Sequence, residues 1–147
     1  KKGRVHEQLL NDLNDLEFYQ KQPPKSLGRE WFETHYLKVF DQYDISTHDQ
    51  LRTATEHCAM QIARAIEQVE SGKILISGGG AKNKFLVERI RTLSQNNIII
   101  PDETIIDYKE ALVFAFLGLL RWENKINCYA SVTGASRNSS CGNIFCP

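Results

Sequence analysis

The stretch from Lys73 to Phe85, K-I-L-I-S-G-G-G-A-K-N-K-F, constrains the fold more than any other part of the chain. Ile74-Leu75-Ile76 is aliphatic at every position, the pattern of a strand buried on both faces inside a parallel sheet. Three glycines follow, and they permit both a sharp turn and the close approach of another molecule to the backbone. Beyond them Phe85, Leu86, Arg89, Ile90 and Leu93 fall at helical spacing. The glycine turn therefore delivers the chain to a helix N-terminus, whose free N–H groups and positive dipole suit an anionic or polar ligand.

A chain of 147 residues is long enough for one domain with a real core and short for two, so one domain over 1–147 is expected. Its 18 basic and 18 acidic residues cancel, which disfavours polyanion binding as a main role. Cys58, Cys128, Cys141 and Cys146 have neither metal-site spacing nor the look of a disulfide framework, and they read as reduced thiols of a cytoplasmic protein. The longest apolar run, Ala111 to Leu120, is about half the roughly 20 residues of a membrane helix. The chain opens on Lys1-Lys2 with no leader pattern, and it reads as part of something longer.

Taken in order, Val5 to Tyr19 repeats apolar residues at helical spacing, and Pro23-Pro24 ends that helix. The loop from Lys25 to Arg29 reads either as a rigid connection or as a ligand contact. Trp31, Phe32, Tyr36, Leu37 and Phe40 form an aromatic helical face that reads as core. Ser46 or Thr47 caps a helix running to about Glu70, with Leu51, Ala54, Ala59, Ile62, Ala63, Ile66 and Val69 facing inward, and Ser71-Gly72 closes it. His57 within it has no partners at metal-ligand spacing and reads as structural, so no metal site is expected.

A second buried run, Ile98 to Ile100, completes a βαβ rhythm and favours a parallel sheet. Asp107 is expected to begin the last long helix. Asp107-x-x-Glu110 then has two readings: a capping box, or a carboxylate at the ligand-binding edge of the sheet. The apolar run after it predicts a buried helix. Residues 130–137 read as a loop or a short edge segment. Only two strands are evident, so further strands are expected upstream of Lys1.

By itself the glycine turn stays open between ligand site and plain connection. Gly80-Ala81-Lys82-Asn83 fits no P-loop, and Asn83 stands where a Rossmann fingerprint needs its third glycine.

Four motifs together are more specific: Pro-Pro-Lys-Ser-x-Gly-Arg-Glu at 23–30, Gly-Gly-Gly-Ala-x-Asn at 78–83, Lys-Glu-Ala at 109–111 followed by Phe114-Ala115-Phe116, and Ser-Val-Thr-Gly-Ala at 131–135. In this order, over nearly the whole chain, they resemble the C-terminal part of the anhydro-N-acetylmuramic acid kinases. The resemblance implies an α/β, ribonuclease H-like (actin-like ATPase) domain, helix-rich with a partial parallel sheet: the nucleotide-binding half of a two-domain kinase.

It further implies ATP and Mg2+ as cofactors, and phosphorylation of 1,6-anhydro-N-acetylmuramic acid with opening of its anhydro ring, a step of cell-wall recycling. Gly78, Gly79, Gly80, Ala81 and Asn83 would form the adenosine side of the nucleotide site, and Glu110 would approach the sugar. The general-base aspartate belongs to the family's N-terminal part. No catalytic residue is thus assigned in this chain, which is expected to be inactive alone. A homodimer is implied as well. The alternative reading is a chaperone-like ATPase fragment of the same superfamily, which binds nucleotide and a protein client but no sugar.

Overall fold

The computed structural model of the chain describes residues 2–22, 25–67 and 72–145. It consists of two compact units: residues 1–76 with 80–100, and residues 77–79 with 101–147.

The first unit opens with α1 (Glu7–Asn14), where His6 Nδ1 accepts from the Leu9 N–H as the helix cap. Leu9, Leu10 and Leu13 make its buried face. The single helix expected to Tyr19 is broken at Asp15-Leu16, and α2 (Glu17–Gln20) follows as one separate turn. Pro23-Pro24 lies outside the described residues. Next come α3 (Arg29–Trp31), a π-helical stretch (Phe32–Tyr36) and α4 (Leu37–Phe40), which run on as one helical segment. Leu9 and Leu13 pack against Tyr36 and Val39 to form the first core.

The long helix α5 (Thr47–Glu67) carries buried Thr53, Glu56, His57, Ala59, Ala63 and Ile66. Ser46 Oγ accepts from the Asp49 N–H at its start, as the capping argument requires. Two positions assigned inward are not: Leu51 is 64% exposed and Ile62 lies at the surface. The buried positions follow one broad helical stripe, and Leu51 and Ile62 lie outside it. Val69 and Ser71 lie outside the described residues.

The N-terminal segment is fastened to the start of this helix. Arg4 N–H donates to Asp49 Oδ1 at 2.6 Å and His6 N–H to Thr53 Oγ1 at 2.9 Å. Gly3 permits that approach, because a Cβ there would lie 2.0 Å from the His48 carbonyl oxygen. The obstacle is backbone and cannot swing aside. Gly3→Ala is accordingly expected to destabilise the protein by about 2–3 kcal/mol, measured as a shift in the urea midpoint.

Strands β1 (Lys73–Leu75) and β2 (Asn97–Ile99) pair in parallel, Lys73 opposite Asn97 and Leu75 opposite Ile99. Between them runs α6 (Lys84–Leu93), so the expected βαβ unit is present. The strands are not buried on both faces, however. Ile74, Ile76, Ile98 and Ile100 point to one face and pack with Ala59, Ile66 and Ile90 as the second core. Leu75 points to the other and is 60% exposed. A strand alternates its side chains, and here the helices cover one face only.

In the second unit α7 (Glu103–Trp122) begins four residues earlier than expected, because Asp102 caps it by accepting from the Ile105 N–H. Asp107 and Glu110 are therefore interior positions, and the capping-box reading of that pair falls. The apolar run is also not buried. Of the helix only Ile106 is buried, while Phe114 is 71% and Trp122 70% exposed. Apart from α7, the unit's described helix is α8 (Ala130–Thr133), a single turn where a loop or a short edge segment was expected, and it is too short to cover α7. Asn127 and Arg121 strap the later chain to the end of α7, through Cys141 and Gly142. No helix among the described residues is long and apolar enough to cross a membrane.

Candidate functional site

The glycine turn departs from β1 with Gly78 at φ +90°, left-handed backbone in which any side chain is strained. Gly79 to Lys82 then form one 3-10 turn, in which Asn83 N–H donates to the Gly80 carbonyl at 3.1 Å. Gly79 and Gly80 need neither a positive φ nor a close protein neighbour to explain them. A Cβ on either would meet no atom within 4 Å. Open space borders the turn where a side chain would have stood. Ala81, by contrast, is buried and anchors the turn.

Asn83 caps α6, its Oδ1 accepting from the Leu86 N–H at 3.1 Å. That bond satisfies one of the four N–H groups a helix start leaves unpaired, and the rest, with the dipole, favour a polar or anionic group. Asn83→Ala is expected to cost about 1 kcal/mol of stability in thermal or urea unfolding, and Asn83→Asp very little.

The boundary between the two units runs through this turn. Gly80, Ala81 and Asn83 belong to the first, Gly78 and Gly79 to the second. In the second unit Lys109 Nζ donates to Ser77 Oγ at 3.0 Å, tying α7 to the residue just before the glycines. Lys109 belongs to the Lys-Glu-Ala motif at 109–111, but the sequence assigns a role neither to it nor to Ser77. Its neighbour Glu110 is exposed on the same helix.

The sequence also understated the aromatic segment. Of its members only Tyr36 is buried, and Trp31, Phe32, Leu37 and Phe40 line a cavity of about 690 Å³. Leu51, Ala54 and Cys58 of α5 form another wall, and Asn83 and Leu86 of α6 part of its rim. All these residues belong to the first unit. The π-helical backbone sets the aromatic geometry: Trp31 stacks on His35 at 5.6 Å and Phe32 on Tyr36 at 5.2 Å. Such stretches recur at functional sites. Leu27, from the loop that follows the two prolines, reaches the same cavity, while Lys25 donates to the Phe18 carbonyl and lies over the Phe18 ring.

Behind the cavity wall His57 is 1% exposed. Burial pushes its pKa down to about 4, the Arg64 charge adds to this, and the Leu13 backbone opposes it. Nδ1 meets the Tyr36 hydroxyl at 3.2 Å, and Nε2 makes no well-formed hydrogen bond among the described residues. Burial likewise raises the Tyr36 hydroxyl and the Cys58 thiol, so this cluster is neutral near pH 7. It is support for the wall rather than acid–base machinery. Cys58, Cys128 and Cys141 are free thiols, and Cys146 lies outside the described residues.

Comparison with known proteins bears on this arrangement. The family model described as anhydro-N-acetylmuramic acid kinase matches residues 1–147. An anhydro-N-acetylmuramic acid kinase of Crocosphaera subtropica is 37% identical, the match taking in 99% of this chain and 41% of the relative. Kinases of the same description from Coxiella burnetii and Mannheimia succiniciproducens are 34% and 33% identical. The match takes in 40% and 42% of their lengths, so the chain spans about two-fifths of these curated relatives. With the family model matched from end to end, and the glycine turn and its capped helix both in place, the chain belongs to the anhydro-N-acetylmuramic acid kinase family.

Proposed function

We propose that this chain is the nucleotide-binding half of an ATP-dependent kinase that phosphorylates 1,6-anhydro-N-acetylmuramic acid, built on a ribonuclease H-like fold. The observation that carries the reading is the open face of the glycine turn. Gly79 and Gly80 hold the backbone bare where no protein atom demands it, next to the capped start of α6. Backbone amides and a helix N-terminus favour a phosphate or ribose hydroxyl there without a positive net charge on the chain. Gly78 to Ala81 and Asn83 would hold the nucleotide, and Glu110 the sugar.

No group of three or more His, Cys, Asp or Glu among the described residues is arranged to hold a metal ion. Magnesium would arrive on the nucleotide's phosphates, where it neutralises charge in phosphoryl transfer. Transfer also needs a base within hydrogen-bond reach of the attacking water. This half supplies positioning only.

Titration of the chain with ATP and magnesium is expected to show saturable binding, and a coupled assay with the anhydro sugar no ADP release. A folded chain that binds no nucleotide would sink the reading, and sugar-dependent turnover by the chain alone would sink the division of labour.

A further inference from the structure

Resting on that nucleotide reading, we propose that Arg52, Glu56 and Arg89 are positioning residues of the nucleotide site, which aim the start of α6 and the end of the glycine turn at the ligand. They build two rungs between the helices. Arg52 and Glu56 stand one turn apart on α5, and Phe85 and Arg89 one turn apart on α6. On the first rung the Arg52 guanidinium lies over the Phe85 ring at 5.1 Å. On the second the Glu56 carboxylate accepts from Arg89 Nε at 2.8 Å and Nη2 at 2.7 Å. Arg52 Nη1 also donates to Glu56 Oε2 at 2.6 Å, which ties the rungs together along α5.

The first rung meets α6 at its second residue, close behind the cap. Turn and helix are joined at that cap by two bonds: the Asn83 N–H donates to the Gly80 carbonyl, and Asn83 Oδ1 accepts from the Leu86 N–H. Gly80 to Asn83 therefore turn with the helix. Rotating a helix by about 20° carries its Cα atoms, on a radius of about 2.3 Å, through about 0.8 Å. That exceeds the spread of about 0.5 Å between short and long N–H···O bonds.

The other contacts of α6 set that angle loosely. Ile90 is buried with Ala59 and Ile66, and Leu86 and Leu93 pack against the same core. Apolar contact is non-directional, and such a surface can repack after a small turn. A guanidinium fork on a carboxylate cannot, since its two bonds require one orientation of the two planes. Stability gives no separate reason for the trio, because a buried ion pair is often replaceable by apolar side chains of similar volume at little cost. Direction is what that replacement forfeits.

The test measures the urea midpoint and the affinity for ATP with magnesium on the same samples of the 147-residue chain. Glu56→Met with Arg89→Met, which swaps the two-pronged pair for apolar side chains, should unfold near the wild-type midpoint and bind ATP about tenfold or more weaker. Arg89→Lys keeps the charge and loses the fork. It should stay folded as well and bind ATP about threefold to tenfold weaker.

Wild-type ATP affinity in the folded double variant would overturn the proposal. Should that variant not fold, Arg89→Lys decides, and unchanged ATP affinity there would overturn it equally. Weakening that vanishes once affinity is corrected for the unfolded fraction would mean a role in stability alone, and the positioning role would be wrong. A folded wild-type chain that binds no ATP would remove the nucleotide reading first, and this proposal with it.

Discussion

Glu56→Ala is expected to destabilise the protein by about 3–5 kcal/mol, the largest effect of any single substitution considered. Glu56 sits on α5 with its side chain 9% exposed, and it accepts from two arginines. Arg89 of α6 delivers a two-pronged contact, Nε to Oε2 at 2.8 Å and Nη2 to Oε1 at 2.7 Å. Arg52, one turn back on α5, donates to Oε2 at 2.6 Å and lies over the Phe85 ring.

Truncation removes the only negative charge in this trio and leaves two guanidinium groups facing each other at a partly buried helix contact. The penalty is mostly that of stranded charge, not of the lost attraction. The double change Glu56→Met with Arg89→Met is thus expected to lie within about 1–2 kcal/mol of the wild type. Urea unfolding with unchanged m separates the cases, and a Glu56→Ala loss below about 1 kcal/mol would refute the account. The Arg89 contacts, aided by Arg52 and opposed by burial, hold the Glu56 carboxyl below its ordinary range. Its contribution is therefore complete above the unfolded value and is lost as pH falls through the lower folded one.

The second large effect is acid sensitivity from His57. Its folded pKa of about 4 lies below the ordinary 6.5, so between those values the unfolded chain binds the extra proton. Stability is full above about pH 6.5 and falls as the pH drops toward 4, by roughly 3 kcal/mol in all. The Tyr36 hydroxyl and the edge of the Tyr19 ring, 4.9 Å away, face the imidazole, and neither holds a negative charge that would welcome a second proton. Unfolding free energies measured across this window should show the decline in the wild type, and His57→Leu should flatten it. A parallel decline in the variant would assign the effect to other groups.

Much of the local architecture is legible in the sequence. Two aliphatic runs and an intervening helical period indicate the βαβ unit, and its parallel pairing follows. Helix starts were less legible. Asp107-x-x-Glu110 has the form of a cap, but Asp102, just after Pro101, is the residue that accepts from the helix N–H groups. A capping pattern is local, and two candidates on one helix cannot both be its end. Hydrophobicity overstates burial at Leu75 and Phe114, because it says that a residue prefers cover but not that the described residues provide it.

The candidate site divides the same way. The glycines and Asn83 stand in one short stretch, so their chemistry is visible in order. Asp41, Gln50, Ala54 and Leu86 meet around a cavity only after three helices pack, and no spacing in the chain announces that.

The π-helical stretch has a consequence for how this segment tolerates change in length. Its backbone bonds reach one residue further than those of an α-helix, as where the Leu37 N–H finds the Phe32 carbonyl. The widened turn amounts to one surplus residue in an otherwise α-helical run. Deleting a single residue between Phe32 and Tyr36 would restore ordinary winding and leave Trp31 and Phe40 close to their present relative orientation, whereas the same deletion in an unbulged helix would turn one against the other by about 100°. All four rings of the wall, Trp31, Phe32, Tyr36 and Phe40, would be retained. The widened turn is thus where this segment can absorb a one-residue change in length, while the same loss elsewhere along the run would turn the rings out of register.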